Sequence, residues 1–148
     1  MAEAPVYLLD VNVVIALLDE AHAGHQTAEE WFDTPGLEWA LCAFTEAGVL
    51  RFFTRPKTGD MSMEQVAAML ERLKEQPGYR YQPITVDWQT LTEPFFKRLF
   101  GHKQVTDAFL LGLAIHAGLV LVTFDGGIQP LAGAYSKYVL RLEAGPAS

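Results

Sequence analysis

Four acidic residues stand where their carboxylates could share one ligand, although long stretches of chain separate them. Asp10 interrupts the apolar segment PVYLLDVNVVIALL at positions 5–18. A buried, ionised carboxylate without a partner costs many kcal/mol, so this group must be paired, bound to a metal ion or placed at an exposed edge. The other three acids are Glu46, Asp107 and Asp125.

The apolar pattern predicts alternating strands and helices with short connections, which is typical of an α/β fold with a mostly parallel sheet of four or five strands. Ser62 and Thr106 are good helix N-caps, Gly118 is a good C-cap, and Pro83 places the third strand at a sheet edge. The predicted strands are 6–9, 37–43, 79–85, 119–123 and 138–142, and the predicted helices are 12–18, 22–33, 44–54, 62–76, 87–100 and 107–117.

These elements predict that the four acids meet at one edge of the sheet. Asp10 and Asp125 follow the first and fourth strands, whereas Glu46 and Asp107 lie in the first turns of helices. In a parallel α/β sheet, strand C-termini and helix N-termini share one edge, and ligands bind in the crevice there. A site made only of oxygen donors suits Mg²⁺ or Mn²⁺. The expected chemistry is hydrolysis of a phosphodiester by a metal-activated water.

Each acid also has a purely structural explanation. Asp107 could be favourable charge at a helix N-terminus. Glu46 could belong to a capping box, and Asp125 could be a turn residue before the two glycines that follow it. Asp10 is the hardest to explain in this way, because it stands between two apolar runs. The common location of all four favours a functional explanation over four separate structural ones.

Composition limits the class of protein. The chain has 148 residues and a formal net charge of -7, which fits one domain, with a core at about 5–143 and a short polar tail, and requires any nucleic-acid binding to depend on local basic patches. A single cysteine, Cys42, suits a reducing compartment. The longest apolar segment, 108–122, is shorter than the roughly 20 residues that cross a bilayer. We therefore expect a soluble, cytoplasmic protein without a membrane segment.

Three segments, in order, resemble the PIN domain, and within that family the VapC-type toxins of prokaryotic toxin–antitoxin pairs. They read LLDVNVVIALLDEAHAGHQTAEEW, FTEAGVLRFFT and VTDAFLLGLAIHAGLVLVTFDGGI. The resemblance covers nearly the whole chain and places Asp10, Glu46, Asp107 and Asp125 at the four acidic positions of the family. It implies an α/β/α sandwich, a ribonuclease that depends on divalent metal, a cognate VapB-like antitoxin and a homodimer.

Further residues receive supporting roles. Asn12 is expected to hydrogen-bond Asp10 or a metal-bound water, or to cap the first helix. Thr123 is expected to orient Asp125 or such a water, or to be an ordinary strand residue, and Thr45 is similar. Basic side chains near the acids could bind RNA phosphates, although solvated surface charge explains any one of them equally well. The candidates for RNA binding are Arg51, Arg55, Arg98, His102 and Lys103.

Three other functions stay open from the residues. A PIN-like domain could bind RNA or a protein partner without cutting, since it would keep the same acids. A haloacid-dehalogenase-like phosphatase would also carry an aspartate after the first strand, but its pattern needs a second aspartate where this chain has Asn12. A receiver-type signalling domain would need paired acids near the first strand and a lysine after the last, and neither is evident.

Overall fold

A parallel sheet forms the centre of the molecule in the computed structural model, which describes residues 4–98 and 101–144. In this part of the chain the sheet has five strands in the order β3-β2-β1-β4-β5, and all four neighbouring pairs are parallel. The predicted fold class is therefore confirmed. The strands are β1 (Val6–Leu9), β2 (Glu38–Leu41), β3 (Tyr79–Tyr81), β4 (Val120–Thr123) and β5 (Val139–Arg141).

Helices cover both faces of this sheet. Successive strand residues point to opposite faces, and Leu8 and Leu121 accordingly lie in one apolar cluster while Leu9 and Val122 lie in another. The helices are α1 (Val11–Leu18), α2 (His25–Phe32), α3 (Ala43–Thr54), α4 (Met63–Lys74), α5 (Trp88–Thr92), α6 (Val105–Ala117) and α7 (Ile128–Ala132). The first cluster includes side chains of α5, α6 and α7, and the second includes side chains of α1, α3 and α4.

Some helix boundaries were predicted correctly and others were not. Ser62 starts α4 with a full capping box, in which Ser62 and Gln65 exchange two hydrogen bonds of 2.9 and 3.1 Å. Gly118 ends α6 in the left-handed conformation, as expected. The prediction of Thr106 as the N-cap of α6 is wrong: a 3-10 turn at His102–Gln104 runs directly into the helix, and Gln104 is the residue that precedes it.

The predicted helix 87–100 is shorter than expected. Its first part is α5, and a 3-10 helix follows at Glu93–Arg98. Pro94 explains the change, because it has no amide hydrogen to donate to the preceding turn. Residues 99 and 100 of this prediction lie outside the described residues. The predicted third strand is also shorter than 79–85, but it does lie at the sheet edge, as Pro83 indicated.

Close packing of α5 on α6 fixes the position of the helix that carries Asp107. A Cβ atom on Gly112 would lie only 1.8 Å from the carbonyl oxygen of Leu91, so only glycine permits this approach. The longest helix, α6, therefore rests directly on α5 within the core. Over residues 4–98 and 101–144, no helix combines the length and apolar character needed to span a membrane.

Candidate active site

Two neighbouring strands bring Asp10 and Asp125 to the same edge of the sheet. β1 and β4 are parallel and paired, so their C-terminal ends meet there. Asp10 directly follows β1, is only 5% exposed and forms the N-cap of α1. Its Oδ1 accepts a hydrogen bond of 2.7 Å from the Val11 amide, and its Oδ2 accepts one of 2.7 Å from the Thr123 hydroxyl. Both carboxylate oxygens are thus held in place.

The Thr123 hydroxyl is the centre of the hydrogen-bond network. Besides donating to Asp10, its oxygen accepts hydrogen bonds from the Asp125 amide at 3.0 Å and from Asn12 Nδ2 at 3.3 Å. Asn12 Oδ1 accepts a further bond of 3.2 Å from the Phe124 amide. Asn12 therefore binds the end of β4 and is neither the N-cap of α1 nor a direct partner of Asp10.

Asp107 reaches the same edge from the first turn of α6. Its pKa is raised to about 8 by burial, by a hydrogen bond shared with Asp125, and by the negative charges of Asp10 and Asp125. Burial also raises the pKa of Asp10, with a smaller contribution from Asp125, although the bonds from Thr123 and Val11 oppose this. Asp125 Oδ1 accepts a hydrogen bond of 2.8 Å from the Gly127 amide. Asp125 therefore also has the turn role that the sequence suggested for it. Three of the four predicted acids therefore interact.

Glu46 lies in the first turn of α3, near this edge, but its carboxylate pairs with Lys74. The Thr45 hydroxyl donates to the carbonyl of Leu9 at 2.7 Å, which fixes the start of α3 beside the end of β1. The Oε1 atom of Glu46 lies 3.0 Å from Nζ of Lys74, and the two side chains are 22% and 23% exposed. This ion pair lacks the alignment of a hydrogen bond, since Oε1 has no such partner in the described part of the chain.

The positive charge of Lys74 is stabilised by its neighbours. Burial, the largest single influence, lowers the pKa of Lys74, but the contact with Glu46 and smaller contributions from Tyr79 and Glu71 together outweigh it, so the pKa is raised. The ammonium also lies 5.9 Å from the centre of the Tyr79 ring. Lys74 therefore stays charged at neutral pH and neutralises Glu46.

The acids at this edge are the type of ligand that a hard divalent cation prefers, but their carboxylates are not arranged around one position. Asp10, Asp107 and Asp125 offer only carboxylate oxygens. The pKa values of Asp10 and Asp107 are raised, mainly by burial and further by neighbouring negative charges that a cation would offset. Among residues 4–98 and 101–144, however, no three histidine, cysteine or acidic side chains converge on one position for an ion. Glu46 pairs with Lys74, and the Asp107 carboxyl shares a hydrogen bond with Asp125.

Four of the five predicted RNA-binding residues lie at the surface. Arg51 and Arg55 are exposed at the end of α3, and His102 is exposed ahead of α6. The guanidinium of Arg98 packs against Gly133, where an added Cβ would lie 2.7 Å from its Cζ. The side chain of Lys103 lies outside the described part of the chain. The proposed contacts with RNA stay predictions.

Two basic residues beside the acids were missed by sequence reasoning. Arg141 ends β5 in register with Thr123, and its guanidinium lies over Gly126, where a Cβ atom would be 2.9 Å from Nη2. The predicted fifth strand could have indicated it, because a strand parallel to β4 ends at the same edge. Lys74 had no such signal, since nothing local to α4 predicts its contact with α3.

Comparison with known proteins gives a family match and named relatives. Residues 7–133 match the PIN domain family. The chain is 38% identical over 138 residues to Ribonuclease VapC38 of Mycobacterium tuberculosis (strain ATCC 25618 / H37Rv), covering 91% of this chain and 96% of that protein.

Two solved structures share the fold. The crystal structure of Mycobacterium tuberculosis VapC20, described as a Sarcin-Ricin loop cleaving toxin, matches with a TM-score of 0.62 at 15% identity, over 86% of this chain and 95% of that one. VapBC2 from Rickettsia felis, bound to a DNA fragment from its promoter, matches with a TM-score of 0.62 at 14% identity, over 93% of this chain and 99% of that one. At such low identity these two likenesses concern the fold alone.

Proposed function

Because this chain belongs to the PIN domain family, we propose that it is a VapC-type toxin, an endoribonuclease that hydrolyses RNA phosphodiesters with Mg²⁺ or Mn²⁺. The observation that carries the proposal is the meeting of Asp10, Asp107 and Asp125, from three separate segments, at the C-terminal edge of the sheet. The family match also argues against the dehalogenase-like and receiver-type alternatives.

Asp10, Asp107 and Asp125 are the residues that would hold the cation, with Glu46 as a fourth ligand once its carboxylate leaves Lys74. A bound Mg²⁺ or Mn²⁺ supplies an activated water and stabilises charge that develops on the phosphate. Within the chain, Thr123 fixes one oxygen of Asp10, and Asn12 fixes Thr123. Asp107 holds a proton at neutral pH and has to release it before its carboxylate can bind a cation.

The RNA backbone needs positive groups, because the chain as a whole is acidic. We assign this role to Arg51, Arg55, Arg98 and Lys103, each of which would neutralise a phosphate along the strand on either side of the cut. His102 is proposed as a further contact to a phosphate or a base, and all five residues lie before Asp107 or after Glu46 in the sequence. The acidic cluster itself repels RNA, so these cations have to offset that repulsion until the metal ion is bound.

A VapB-like antitoxin is the proposed inhibitor, and the cytoplasm is the proposed compartment. The likeness to the VapBC2 structure supports an antitoxin partner at the level of the fold. Exposed apolar rings also support a protein partner: Trp88 and Phe96 are 57% and 48% exposed and their centroids lie 6.3 Å apart. A homodimer is the second proposed assembly, and such rings are typical of interface surfaces.

Asp10→Asn tests the function directly. Asparagine keeps the capping oxygen and the size of the side chain but removes the charge that a cation needs, so we expect RNA cleavage to fall by at least about 100-fold with little loss of stability. The measurement is mapping of cut sites on total RNA in Mg²⁺, in parallel with EDTA, which is expected to stop the wild-type protein.

Asp87→Asn is the matched control, because Asp87 is also a helix N-cap, with a 2.9 Å bond from Thr90, but lies on α5. It is expected to cleave like the wild type. Equal cleavage by Asp10→Asn and the wild type would refute the catalytic site. Binding of RNA without any metal-dependent cleavage by the wild type would favour the non-cleaving PIN-like module instead.

A further inference from the structure

A cavity of about 460 Å³ lies next to the acidic cluster, on the side of β5. Its walls come from the connection between α1 and α2 and from the segments that follow β4 and β5. Four side chains carry the chemistry of these walls, namely His22, Phe124, Arg141 and Glu143. None of them has a role in holding the proposed cation.

Phe124 connects the cavity to the acidic cluster along the chain. Phe124 is the residue between Thr123 and Asp125, so one of its neighbours binds Asp10 and the other interacts with Asp107. The Leu142 amide donates to the carbonyl of Thr123 at 2.8 Å, which keeps the end of β5 against β4. A nucleotide whose phosphate lies at the acids therefore has the cavity as its nearest neighbour on this side.

One wall is aromatic. The rings of His22 and Phe124 have centroids 6.4 Å apart and an interplanar angle of 39°. Gly24 packs closely on both rings and fixes this wall, since a Cβ there would lie 2.9 Å from the Phe124 ring and 3.3 Å from the His22 ring. The Gly24 amide donates to His22 Nδ1 at 2.9 Å, so a neutral His22 ring carries its hydrogen on Nε2 as a further donor.

Arg141 and Glu143 add hydrogen-bond donors and acceptors to the lining. Arg141 is 42% exposed and pairs only loosely with Glu143, at 3.6 Å between Nη1 and Oε1. A guanidinium supplies several N–H donors and a carboxylate only acceptors. Base edges present both kinds of group, and single-stranded RNA is recognised by stacking of its bases on aromatic rings or guanidinium planes combined with such hydrogen bonds.

We propose that this cavity is a nucleobase subsite, which takes the base of the RNA nucleotide next to the scissile phosphodiester. The base stacks against Phe124 and His22, and its edge meets Arg141 and Glu143. The inference rests on the proposed ribonuclease function for the position of the scissile phosphate, but the cavity itself is tested by binding alone.

The binding test uses Asp10→Asn protein in Mg²⁺, which holds RNA without cutting it, and a labelled pool of short single-stranded RNA of random sequence. Arg141→Gln and Phe124→Leu, each added to Asp10→Asn, are expected to weaken binding about 10- to 100-fold, as measured by fluorescence anisotropy. Leucine keeps apolar packing while it removes the ring. Thermal unfolding checks each fold, and His22→Ala replaces Phe124→Leu if that variant fails to fold.

Arg80→Gln is the matched control. Arg80 pairs with Glu38 at 3.3 Å, and the two are 52% and 46% exposed, so the pair resembles Arg141 and Glu143 in chemistry. The pair lies at the opposite edge of the sheet from β5, with Arg80 on β3 and Glu38 on β2. Removal of Arg80 is expected to leave RNA binding unchanged, and an equal loss in both arginine variants would overturn the subsite by showing a general charge effect.

The second readout is the cut-site profile of the active protein. Arg141→Gln is expected to weaken the base preference at one position beside the cut about 10-fold while the other positions keep theirs. Unchanged affinity and an unchanged profile, in a wild-type protein that does cleave, would overturn the subsite alone. Loss of RNA binding in the cavity variants of a protein that never cleaves would support base binding in the cavity, refute the ribonuclease and overturn the position assigned to the base beside a scissile phosphodiester.

A final arm distinguishes RNA from free nucleotides. Each ribonucleoside 5′-monophosphate is titrated into the Asp10→Asn protein and into its Arg141→Gln derivative. Weaker binding in the derivative, together with the altered cut-site profile, supports the RNA subsite. Weaker binding with an unaltered profile would overturn the proposal, because the cavity would then serve a free nucleotide and not the substrate strand.

Discussion

The hydroxyl of Thr123 uses its full hydrogen-bonding capacity at the candidate site. It donates once, to Asp10, and accepts twice, from the Asp125 amide and from Asn12. A hydroxyl has one donor and two acceptor positions, so only another hydroxyl at this place could make all three contacts. Groups that hold a ligand carboxylate in place typically affect activity or metal affinity 10- to 100-fold.

Thr123→Val is therefore expected to lower RNA cleavage about 10- to 100-fold in saturating Mg²⁺, because valine keeps the branched shape but cannot bind Asp10. Thr123→Ser restores the hydroxyl and is expected to keep most of the activity. Initial rates of cleavage measure both. Thr92→Val is the control, since Thr92 is another buried threonine, and its hydroxyl donates to the carbonyl of Trp88 at 2.7 Å and not to an acid. Wild-type rates in Thr123→Val would contradict this role.

The raised pKa of Asp107 predicts a dependence of stability on pH. In EDTA the folded carboxyl keeps its proton up to a pKa of about 8, whereas an unfolded aspartate releases it near a pKa of about 3.9. Between these values the unfolded state binds fewer protons, so the free energy of unfolding falls as pH rises. Asp107→Asn removes this loss, and its stability relative to the wild type is expected to increase from pH 5 to pH 8.

Urea unfolding of both proteins at several pH values measures that difference. Asp87→Asn is the control, because hydrogen bonds to Thr90 lower the pKa of Asp87. The contribution of Asp87 to the free energy of unfolding is lost only in acid, as pH falls through its folded pKa. The difference in free energy of unfolding between Asp87→Asn and the wild type therefore stays constant from pH 5 to pH 8. A constant difference for Asp107→Asn as well would show that the Asp107 proton is not held in this way.

At the level of elements, the sequence predicts the part of the site that depends on strand ends and first helical turns. Asp10 and Asp125 follow apolar runs that could only be strands of a parallel sheet, and their meeting follows from the pairing of β1 with β4. Asp107 was placed in the first turn of α6 even though the predicted start of that helix was wrong, because a shift of one or two residues leaves it in that turn.

Contacts between distant helices could not be predicted in the same way. The α5–α6 approach depends on the missing Cβ of Gly112, which a sequence shows only as one more glycine in an apolar helix. The direction of the Glu46 carboxylate depends on Lys74, which ends α4. Such contacts are set by how helices pack on the sheet, and periodicity within one helix carries no information about them.

Lys74→Met tests whether α4 controls the fourth acid. In EDTA we expect a loss of about 1 kcal/mol in the free energy of unfolding, because Glu46 loses its counter-charge. Addition of Mn²⁺ is expected to raise the melting temperature more in Lys74→Met than in the wild type, because the freed Glu46 carboxylate can bind the cation without competition from the ammonium.

Lys137→Met is the matched control for this experiment. Lys137 lies 5.3 Å from the centre of the Tyr138 ring, much as Lys74 lies over Tyr79, but it forms no ion pair in the described part of the chain. It is expected to show the wild-type response to Mn²⁺. Equal metal stabilisation of Lys74→Met and the wild type would show that Glu46 does not join the cation site.

The whole molecule carries 18 acidic and 11 basic residues, which is an unusual balance for a protein that acts on a polyanion. Its overall field opposes RNA, so binding has to depend on local cations and on the cation held by the acids. Two exposed arginines, Arg51 and Arg55, follow Glu46 on α3 and are the simplest local group to remove.

The salt dependence of RNA binding measures how many such cations contact phosphates. Each phosphate contact with a single strand contributes about -0.7 to the slope of log affinity against log salt. If Arg51 and Arg55 each contact one phosphate, the double variant Arg51→Gln/Arg55→Gln makes this slope less steep by about 1.4. The measurement is anisotropy of single-stranded RNA with Asp10→Asn protein over a range of KCl, at constant Mg²⁺.

Arg80→Gln is expected to leave the slope unchanged, since Arg80 pairs with Glu38 at the far edge of the sheet. An unchanged slope in the double variant would mean that these two arginines are only solvated surface charge and that the RNA approaches the acids from the side of α6 or β5.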